Sequence, residues 1–420
     1  MAPLMDNKPL SPENAALASA ALARLDRLES YLGADPGNPA LLADAFETAL
    51  QCAQWERAAF HLRHGLALQA DVLSWRLKEG DLLLAQGRYA EARAALKALQ
   101  GVDPTPAGFK SVVLHNLAYI EFRQGNYAEC IAELAGHMED FAGLEQALSG
   151  GDGAAIALPD QLLQRLWLRS LHRTGELQRA CDWARTVEKL RLLDAHAAGI
   201  ASLAAIDMTD MISAGRWAAT ALQQAEGGNP SNPFPAEVFV TQLTLALGAR
   251  KADDAIAWAD CALELNGEDG RAWSGRAFAL LLKGDLKLAR RDFARALQAM
   301  PGHIGTWHGQ GWAQLLDHDL EAARKSFGIA LELDRNFAES HGGMAVVLAL
   351  ARRESSARQH ADRALGLDKN NLSGRYAQAL LNGEVKDSTA IRRLAQRLLS
   401  SREMPDGVSV PDFMDGTPRA

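Results

Sequence analysis

Three arginines lie at intervals of four residues, at Arg165, Arg169 and Arg173, and His172 stands beside the last of them. On an α-helix this spacing places the three side chains on one face. Guanidinium groups bind carboxylates through paired hydrogen bonds, and such a row would stand out on a chain whose formal net charge is −8. The spacing therefore predicts a binding face for an acidic segment of a partner. The alternative is a solvated helix face whose arginine stems cover apolar surface.

Two further sets of residues are candidates for partner binding. The first is polar and precedes the arginine row in the chain: His115, Asn116, Tyr119 and Arg123. The second is mainly aromatic and suits an apolar partner helix or extended segment: Phe278, His308, Trp312 and Tyr376. Trp312 lies five residues after Trp307, so we expect Trp307 in the core and Trp312 on the binding surface. Packing between helices would produce the same aromatic pattern, so that alternative stays open.

Motifs for catalysis or nucleotide binding are absent from the sequence, which has no GxxxxGK[ST], no GxGxxG after a strand, no HExxH and no GxSxG. His61 and His64 lie three residues apart, as in half a metal site, but no third ligand is evident. The cysteines lack zinc-site spacing and are expected to be reduced, buried thiols: Cys52, Cys130, Cys181 and Cys261. We therefore predict no catalytic residue, no cofactor and no metal.

The composition excludes two further classes of partner. With 44 basic and 52 acidic side chains, the chain lacks the excess of Lys and Arg that neutralises nucleic-acid phosphates. It also has no apolar run of about 18 residues that could span a membrane, and no basic start followed by an apolar core that would mark a signal peptide. We expect a cytoplasmic protein that has no membrane span and does not bind nucleic acid.

A short turn motif, with a small or polar residue first, an apolar residue third and a small residue sixth, recurs nine times. Its copies begin at Ala53, Gly87, Gly125, Gly175, Gly215, Arg250, Gly284, His318 and Arg352. From Arg250 onward the copies are 34 residues apart. A fixed period of this length predicts an array of helix-turn-helix units, each of which buries its apolar face against its neighbours.

The most regular unit has the spacing of a known repeat family. It comprises Trp273, Ala277, Leu280, Gly284, Ala289, Phe293, Ala296 and Pro301. This unit resembles the tetratricopeptide repeat (TPR) pattern, except that Arg276 stands where the consensus has Leu. The next unit repeats the pattern with Trp307, Gly311, Ala323, Phe327 and Ala330. The resemblance implies an all-α fold, a right-handed superhelical solenoid of TPR-like repeats, with nine helix pairs and extra helices at its ends.

Breaks in the pattern suggest how the chain is divided. We expect an N-terminal leader and capping helix in residues 1–38, a degenerate array in 39–228 with an insertion near 136–159, and a regular array in 229–371. Capping helices are expected in 372–403 and a disordered tail in 404–420, where Pro, Gly and Asp are interleaved.

The resemblance also implies a function. First helices of TPR units line a concave surface on which peptides or helices dock, and this register turns the candidate residues above toward that surface. The expected function is a non-catalytic scaffold or adaptor that binds a protein or peptide through an acidic segment, an apolar segment or both. The alternative is a regulatory or substrate-recruiting subunit of a bacterial enzyme, secretion or envelope-assembly complex.

Overall fold

The structure is a computed structural model that describes residues 12–68, 71–102, 105–106, 108–141, 161–226 and 235–383, without the side chains of 12–18 and 224–226. These ranges contain twenty α-helices and no β-strand. The all-α fold expected from the sequence is therefore confirmed. Contacts divide the chain into two compact units, Met1–Glu176 and Leu177–Ala420.

In the first unit, the described residues form eight helices. They are α1 (Pro12–Ala34), α2 (Pro39–Gln51), α3 (Trp55–Ala67), α4 (Val72–Ala85), α5 (Tyr89–Gln100), α6 (Phe109–Arg123), α7 (Tyr127–Met138) and α8 (Gln161–Thr174). α2 packs on α3, α4 on α5 and α6 on α7, while α8 packs against both α6 and α7. α1 packs against α2 and buries Leu25, Leu28 and Leu32 in the same apolar cluster as Phe46 and Trp75.

Among the residues that the structure describes, the second unit has twelve helices. They are α9 (Leu177–Lys189), α10 (Ala195–Asp207), α11 (Met211–Glu226), α12 (Ala236–Gly248), α13 (Ala252–Leu265), α14 (Gly270–Lys283), α15 (Leu286–Ala299), α16 (Ile304–Leu316), α17 (Leu320–Leu333), α18 (Ala338–Leu350), α19 (Glu354–Leu367) and α20 (Leu372–Leu381). From α10 onward they pack in consecutive pairs, and α20 packs against α18 and α19.

The turns that join the helices of a pair share one backbone geometry. In all nine, the first residue of the turn has a positive φ, and the next N–H donates to the carbonyl five residues earlier at 2.9 or 3.0 Å. This is the Schellman arrangement that ends a helix through a left-handed residue, and it explains why glycine recurs in the motif. The sixth residue of each turn motif is fully buried: Ala58, Ala92, Cys130, Ala180, Ala214, Ala255, Ala289, Ala323 and Ala357.

The fifth copy of the motif was wrongly placed at Gly215, which lies inside α11. The turn is at Thr209, whose φ is 61° and which lies 34 residues after Gly175. Met211 and Ala214 then occupy the apolar and small positions of the motif. Because Thr209 is neither small nor glycine, the Gly-Arg-Trp sequence further on resembled the motif more closely.

The consensus tryptophan position has a polar role in addition to packing. At this position in four successive units, a ring or guanidinium N–H donates to the backbone carbonyl six residues earlier and so fixes the loop between two pairs. The donor and acceptor residues are Trp273 and Gly267, Trp307 and Pro301, His341 and Arg335, and Arg375 and Lys369, with distances of 2.8, 2.8, 2.9 and 2.8 Å.

The structure also explains the departure at Arg276. Its guanidinium lies 2.7 Å from the fully buried Asp292 and 2.5 Å from Asp260, and it stacks over the ring of Trp273 at 4.4 Å. Arg276 therefore connects α13, α14 and α15 where a leucine would only fill space. The burial of Asp292 without its partner would be costly, so Arg276 and Asp292 are interdependent.

Several predicted segments lie outside the described residues. They are most of the insertion at 136–159, the boundary at 228–229, the C-terminal part of the capping region 372–403, and the tail 404–420. On the two sides of that boundary, α12 packs against α10 and α11. No helix among the described residues is long and apolar enough to cross a membrane.

The expectation of buried cysteines holds for two of the four residues. Cys130 and Cys181 are buried, and burial raises the pKa of each thiol to about 11. Cys52 and Cys261 are half-buried, so for them the expectation was wrong.

Candidate functional site

The arginine row predicted from the sequence is the accessible stripe of α8. Between residues 163 and 173 the side chains that are not buried are those of Arg165, Arg169, His172 and Arg173. The first three are half-buried and Arg173 is exposed. The helix has no Asp or Glu of its own, because the remaining positions are apolar, Ser, Gln or Thr. Between residues 163 and 173, the side chains of α8 that reach the surface are therefore all basic residue types.

α6 presents a matching row at equivalent positions relative to its turn. His115 and Tyr119 are half-buried and stack with ring centroids 5.9 Å apart and planes inclined by 14°. Arg123, one helical turn further, is exposed. A hydrogen bond to Tyr89 is the largest cause that raises the pKa of Arg123, and Tyr119 adds to it. The row is thus an aromatic pair followed by an exposed guanidinium.

Asn116 was wrongly assigned to the binding surface. It is 4% exposed, and its Nδ2 donates to Oδ1 of Asp81 on α4 at 2.7 Å. Its Oδ1 lies 3.0 Å from Nδ1 of His115, which must carry the proton because the amide oxygen can only accept. Asn116 therefore joins α4 to α6 and orients His115, and its amide is not available to a partner.

Asp81, the residue of α4 that accepts the hydrogen bond from Asn116, is half-buried. Burial raises its pKa to about 6, although the hydrogen bond from Asn116 and the charge of Lys78 act in the opposite direction. Glu47 raises it further. Asp81 occupies on α4 the position that Tyr119 holds on α6, so the cationic rows of α6 and α8 meet an acidic group at α4.

Trp312, the centre of the apolar surface predicted in the second unit, is instead buried in the core. Trp312 is 5% exposed and belongs to the same buried cluster as Phe293 and Phe327. Its Nε1 donates to Nε2 of His308 at 3.0 Å, and its ring packs edge-on against Phe327 with centroids 6.0 Å apart. The expected contrast with Trp307 is reversed, because Trp307 is the half-buried residue of the two.

The other members of that set are also engaged in packing. Tyr376 is 8% exposed and lies in the same buried cluster. Phe278 is half-buried and packs edge-on against Phe293 with centroids 4.9 Å apart. His308 is half-buried and contacts both Phe327 and Phe337 through its ring. The alternative of helix-to-helix packing is therefore the correct interpretation of this pattern.

The pair of histidines at His61 and His64 does not form a metal site. His61 is 2% exposed and its Nε2 lies 2.9 Å from Oε1 of Glu29, which also accepts from Arg57 at 2.9 Å. Across the described ranges, no group of three or more His, Cys, Asp or Glu is placed to hold a metal ion.

No family model matches the chain, and no curated protein matches it in sequence. Solved structures do resemble it. YrrB, described as a TPR protein with an unusual peptide-binding site, is 16% identical over 46% of this chain and 96% of its own, with a TM-score of 0.35. The Cut9-Hcn1 assembly of the APC/C is 13% identical over 90% of this chain and 97% of its own, with a TM-score of 0.38. PilF of Pseudomonas aeruginosa is 16% identical over 58% of this chain and 100% of its own, with a TM-score of 0.38.

The assignment of the fold rests on the geometry of the helices themselves. Nine turns each begin with a residue in the left-handed conformation, and the sixth residue of each turn motif is buried. From Arg250 onward the units recur with a period of 34 residues. The described part of the chain is an all-α array of TPR-like helix-turn-helix repeats.

Proposed function

We propose that this protein is a non-catalytic TPR scaffold that binds an acidic segment of a protein partner on the first unit. The binding surface, here called the cationic face, consists of seven residues: His115, Tyr119 and Arg123 of α6, and Arg165, Arg169, His172 and Arg173 of α8. The observation that carries the proposal is that every unburied side chain of α8 between residues 163 and 173 is Arg or His.

The chemistry of the cationic face suits carboxylates. Guanidinium groups at Arg169 and Arg173 can each bind a carboxylate through two parallel hydrogen bonds, which is stronger and more directional than a contact with a single ammonium. The half-buried position of Arg165 and Arg169 reduces solvent screening of their charge compared with a fully exposed side chain. The stacked His115 and Tyr119 add an apolar surface for a neighbouring side chain of the partner.

Asp81 limits the length of the segment that binds. It follows the cationic face on α4, where its carboxylate would repel further acidic residues of the partner. The cationic face therefore suits a short acidic stretch that lies across α6 and α8, followed by neutral or basic residues near α4.

The test is binding of a fluorescein-labelled peptide rich in Glu and Asp, measured by fluorescence anisotropy with the full chain. Replacing Arg165, Arg169 and Arg173 by Gln should weaken binding by about a hundredfold or more, because each charge-assisted pair contributes about 1.5 to 3 kcal/mol. Binding by the wild-type protein should also weaken steeply as salt is raised.

A matched variant removes the same number of charges elsewhere. Arg27, Arg63 and Arg358 are exposed and belong to other helices, so their replacement by Gln should leave the affinity within about twofold. An equal loss of affinity for the peptide in both triple variants would mean that the peptide is attracted nonspecifically to positive charge. Circular dichroism of both variants shows whether the helices are intact.

A further inference from the structure

An open pocket of about 500 Å³ lies in the second unit, between α17 and α19. Seven residues line it: Gly328, Leu331 and Glu332 of α17, Arg335 of the following loop, His341 of α18, and His360 and Arg363 of α19. α20, which also packs against α19, contributes no lining residue. Four of the seven side chains are Arg or His, and Glu332 is the acidic one among them.

The pocket occurs where the repeat departs from its own pattern. His341 holds the position of Trp273 and Trp307 in the two preceding units, and it keeps their hydrogen bond to the carbonyl six residues earlier. An imidazole is much smaller than an indole, so space that the larger ring fills elsewhere is open here. Arg335 likewise stands where the first of those units ends in Pro301.

The two histidines of the pocket are joined in a fixed order. Nε2 of His341 lies 2.9 Å from the carbonyl oxygen of Arg335 and must donate to it, so Nδ1 of a neutral His341 accepts. Nδ1 of His360 lies 2.9 Å from that atom and therefore donates. The pair can then take up one proton, at Nε2 of His360, while both hydrogen bonds remain.

Without an anion, His360 favours its neutral form. Burial is the main cause that lowers its pKa, and the neighbouring His341 lowers it further. An anion in the pocket would have the opposite effect and would make Nε2 of His360 a donor.

The two arginines complete a set of three donors. Arg363 is exposed, and its Nη2 donates to Oδ1 of Asn336 at 2.9 Å, which holds its guanidinium beside the pocket. Arg335 is exposed at the end of the loop. Leu331 and Gly328 supply an apolar wall.

We propose that this pocket binds a phosphate monoester group, with Arg335, Arg363 and His360 as its donors. A phosphate presents three acceptor oxygens and up to two negative charges, which match three donors, one from the loop and two from α19, better than a carboxylate does. The group could be free phosphate or the phosphorylated side chain of a protein partner. This site is separate from the cationic face and involves none of its residues.

The experiment is a titration of the full chain with three probes: inorganic phosphate, a phosphoserine peptide, and the same peptide with Glu in place of phosphoserine. Binding is followed through the histidine ring signals in NMR spectra and by calorimetry. We expect the phosphoserine peptide to bind, whether or not inorganic phosphate alone also binds. The Glu peptide should bind at least about tenfold more weakly than the phosphoserine peptide. Saturation should raise the pKa of His360 by about one unit or more.

Two variants test the pocket itself. Arg335→Gln combined with Arg363→Gln should weaken binding of the phosphoserine peptide by about a hundredfold. Gly328→Leu should occupy the pocket, since a Cβ at Gly328 meets its nearest neighbour, Met344, at an ordinary 3.9 Å and the fold can accept it. Arg358→Gln, on the same helix outside the pocket, is the control and should bind normally.

Three results would overturn the proposal: no binding of either phosphate probe, equal binding of the Glu peptide, or undiminished binding in both pocket variants. Replacing the arginines of the cationic face should not alter phosphate binding. A failure of the proposed scaffold function is therefore distinguishable from a failure of this site.

Discussion

Asp81 of α4 shows how one side chain makes the stability of the folded protein depend on pH. Its ordinary pKa is 3.8, and burial raises it to about 6 in the folded protein. Because the folded state holds the proton more tightly than the unfolded state, this carboxyl contributes stability below about pH 4 that is lost as the pH rises through about 6. At neutral pH its ionised form is a cost to the fold.

We therefore expect Asp81→Asn to stabilise the protein at neutral pH. The amide oxygen of the new residue can still accept from Nδ2 of Asn116, and the variant should gain about 1 to 2 kcal/mol at pH 7.5. The gain should vanish at pH 4. Urea denaturation of wild type and variant at both pH values measures it.

Asp81→Ala is the control, because it removes the charge together with the acceptor and leaves the buried amide of Asn116 without its partner. If Asp81→Asn is less stable than wild type at pH 7.5, then the carboxylate is held by its surroundings more favourably than its burial indicates.

At the residue scale, sequence spacing found the accessible side chains of α8 but not the burial of Trp312. The arginine row was accessible because, apart from His172, every other position of α8 between 163 and 173 is buried by packing. Trp312 occupies the equivalent row of α16, yet there the ring meets Phe327, a contact between helices whose partner a local pattern does not identify. Side chains at equivalent positions of two helices can therefore be accessible in one unit and buried in another. Which of the two occurs depends on the side chains of the neighbouring helices.

At the element scale, eight of the nine turns were located from the sequence because their geometry restricts residue type. A left-handed residue at the first position favours glycine, and four of the nine turns have it. This preference does not locate a turn whose first residue is not glycine but still adopts the left-handed conformation, as Thr209 does with a φ of 61°. Arg276 was recognised as a departure from the pattern, but its partners Asp260 and Asp292 lie on two other helices and could not be inferred.

The turn between α16 and α17 offers a direct measurement of that strain. His318 has a φ of 63° and is exposed, whereas the equivalent residue one unit earlier is Gly284 with a φ of 83°. A non-glycine residue in this conformation costs about 1 to 2 kcal/mol, of which the greater freedom of unfolded glycine offsets about 0.5 to 1. His318→Gly should therefore raise the free energy of unfolding by about 0.5 to 1 kcal/mol.

Gly284→Ala is the reverse substitution and should lower the free energy of unfolding by a similar amount of about 1 kcal/mol. No atom lies within 4 Å of a Cβ added there, so the change reports backbone conformation alone. Urea midpoints of the two variants should move in opposite directions. A shift in the same direction for both would show that the left-handed conformation is not the source of the effect.

At the scale of the whole molecule, each helix pair contacts mainly its neighbours in the chain, and the described contacts fall into two compact units. In such arrays stability is approximately a sum of repeat and neighbour terms, so a local defect need not unfold distant repeats. This property separates the cationic face of the first unit from the pocket of the second, because variants in one should leave the other folded.

Phe327 is the residue with which to test this independence. It is fully buried in α17, where its ring contacts His308 and Trp312, and a Cβ at Gly311 or Gly343 would come within 2.8 or 2.5 Å of it. Phe327→Ala should cost about 3 to 5 kcal/mol through the cavity it leaves. Hydrogen exchange followed by mass spectrometry should then show faster exchange in α16 to α19 and unchanged exchange in α2 to α6.

Phe46→Ala is the matched variant in the first unit, where Phe46 is 1% exposed and packs edge-on against Trp75 with centroids 6.1 Å apart. It should accelerate exchange in α2 to α4 and leave α16 to α19 unchanged. Because the two defects are similar in kind and size, a local response in each case follows from nearest-neighbour stability. Faster exchange throughout both units in either variant would instead show that the protein unfolds as one cooperative body, and the two proposed sites could then not be disabled separately by substitutions in the core.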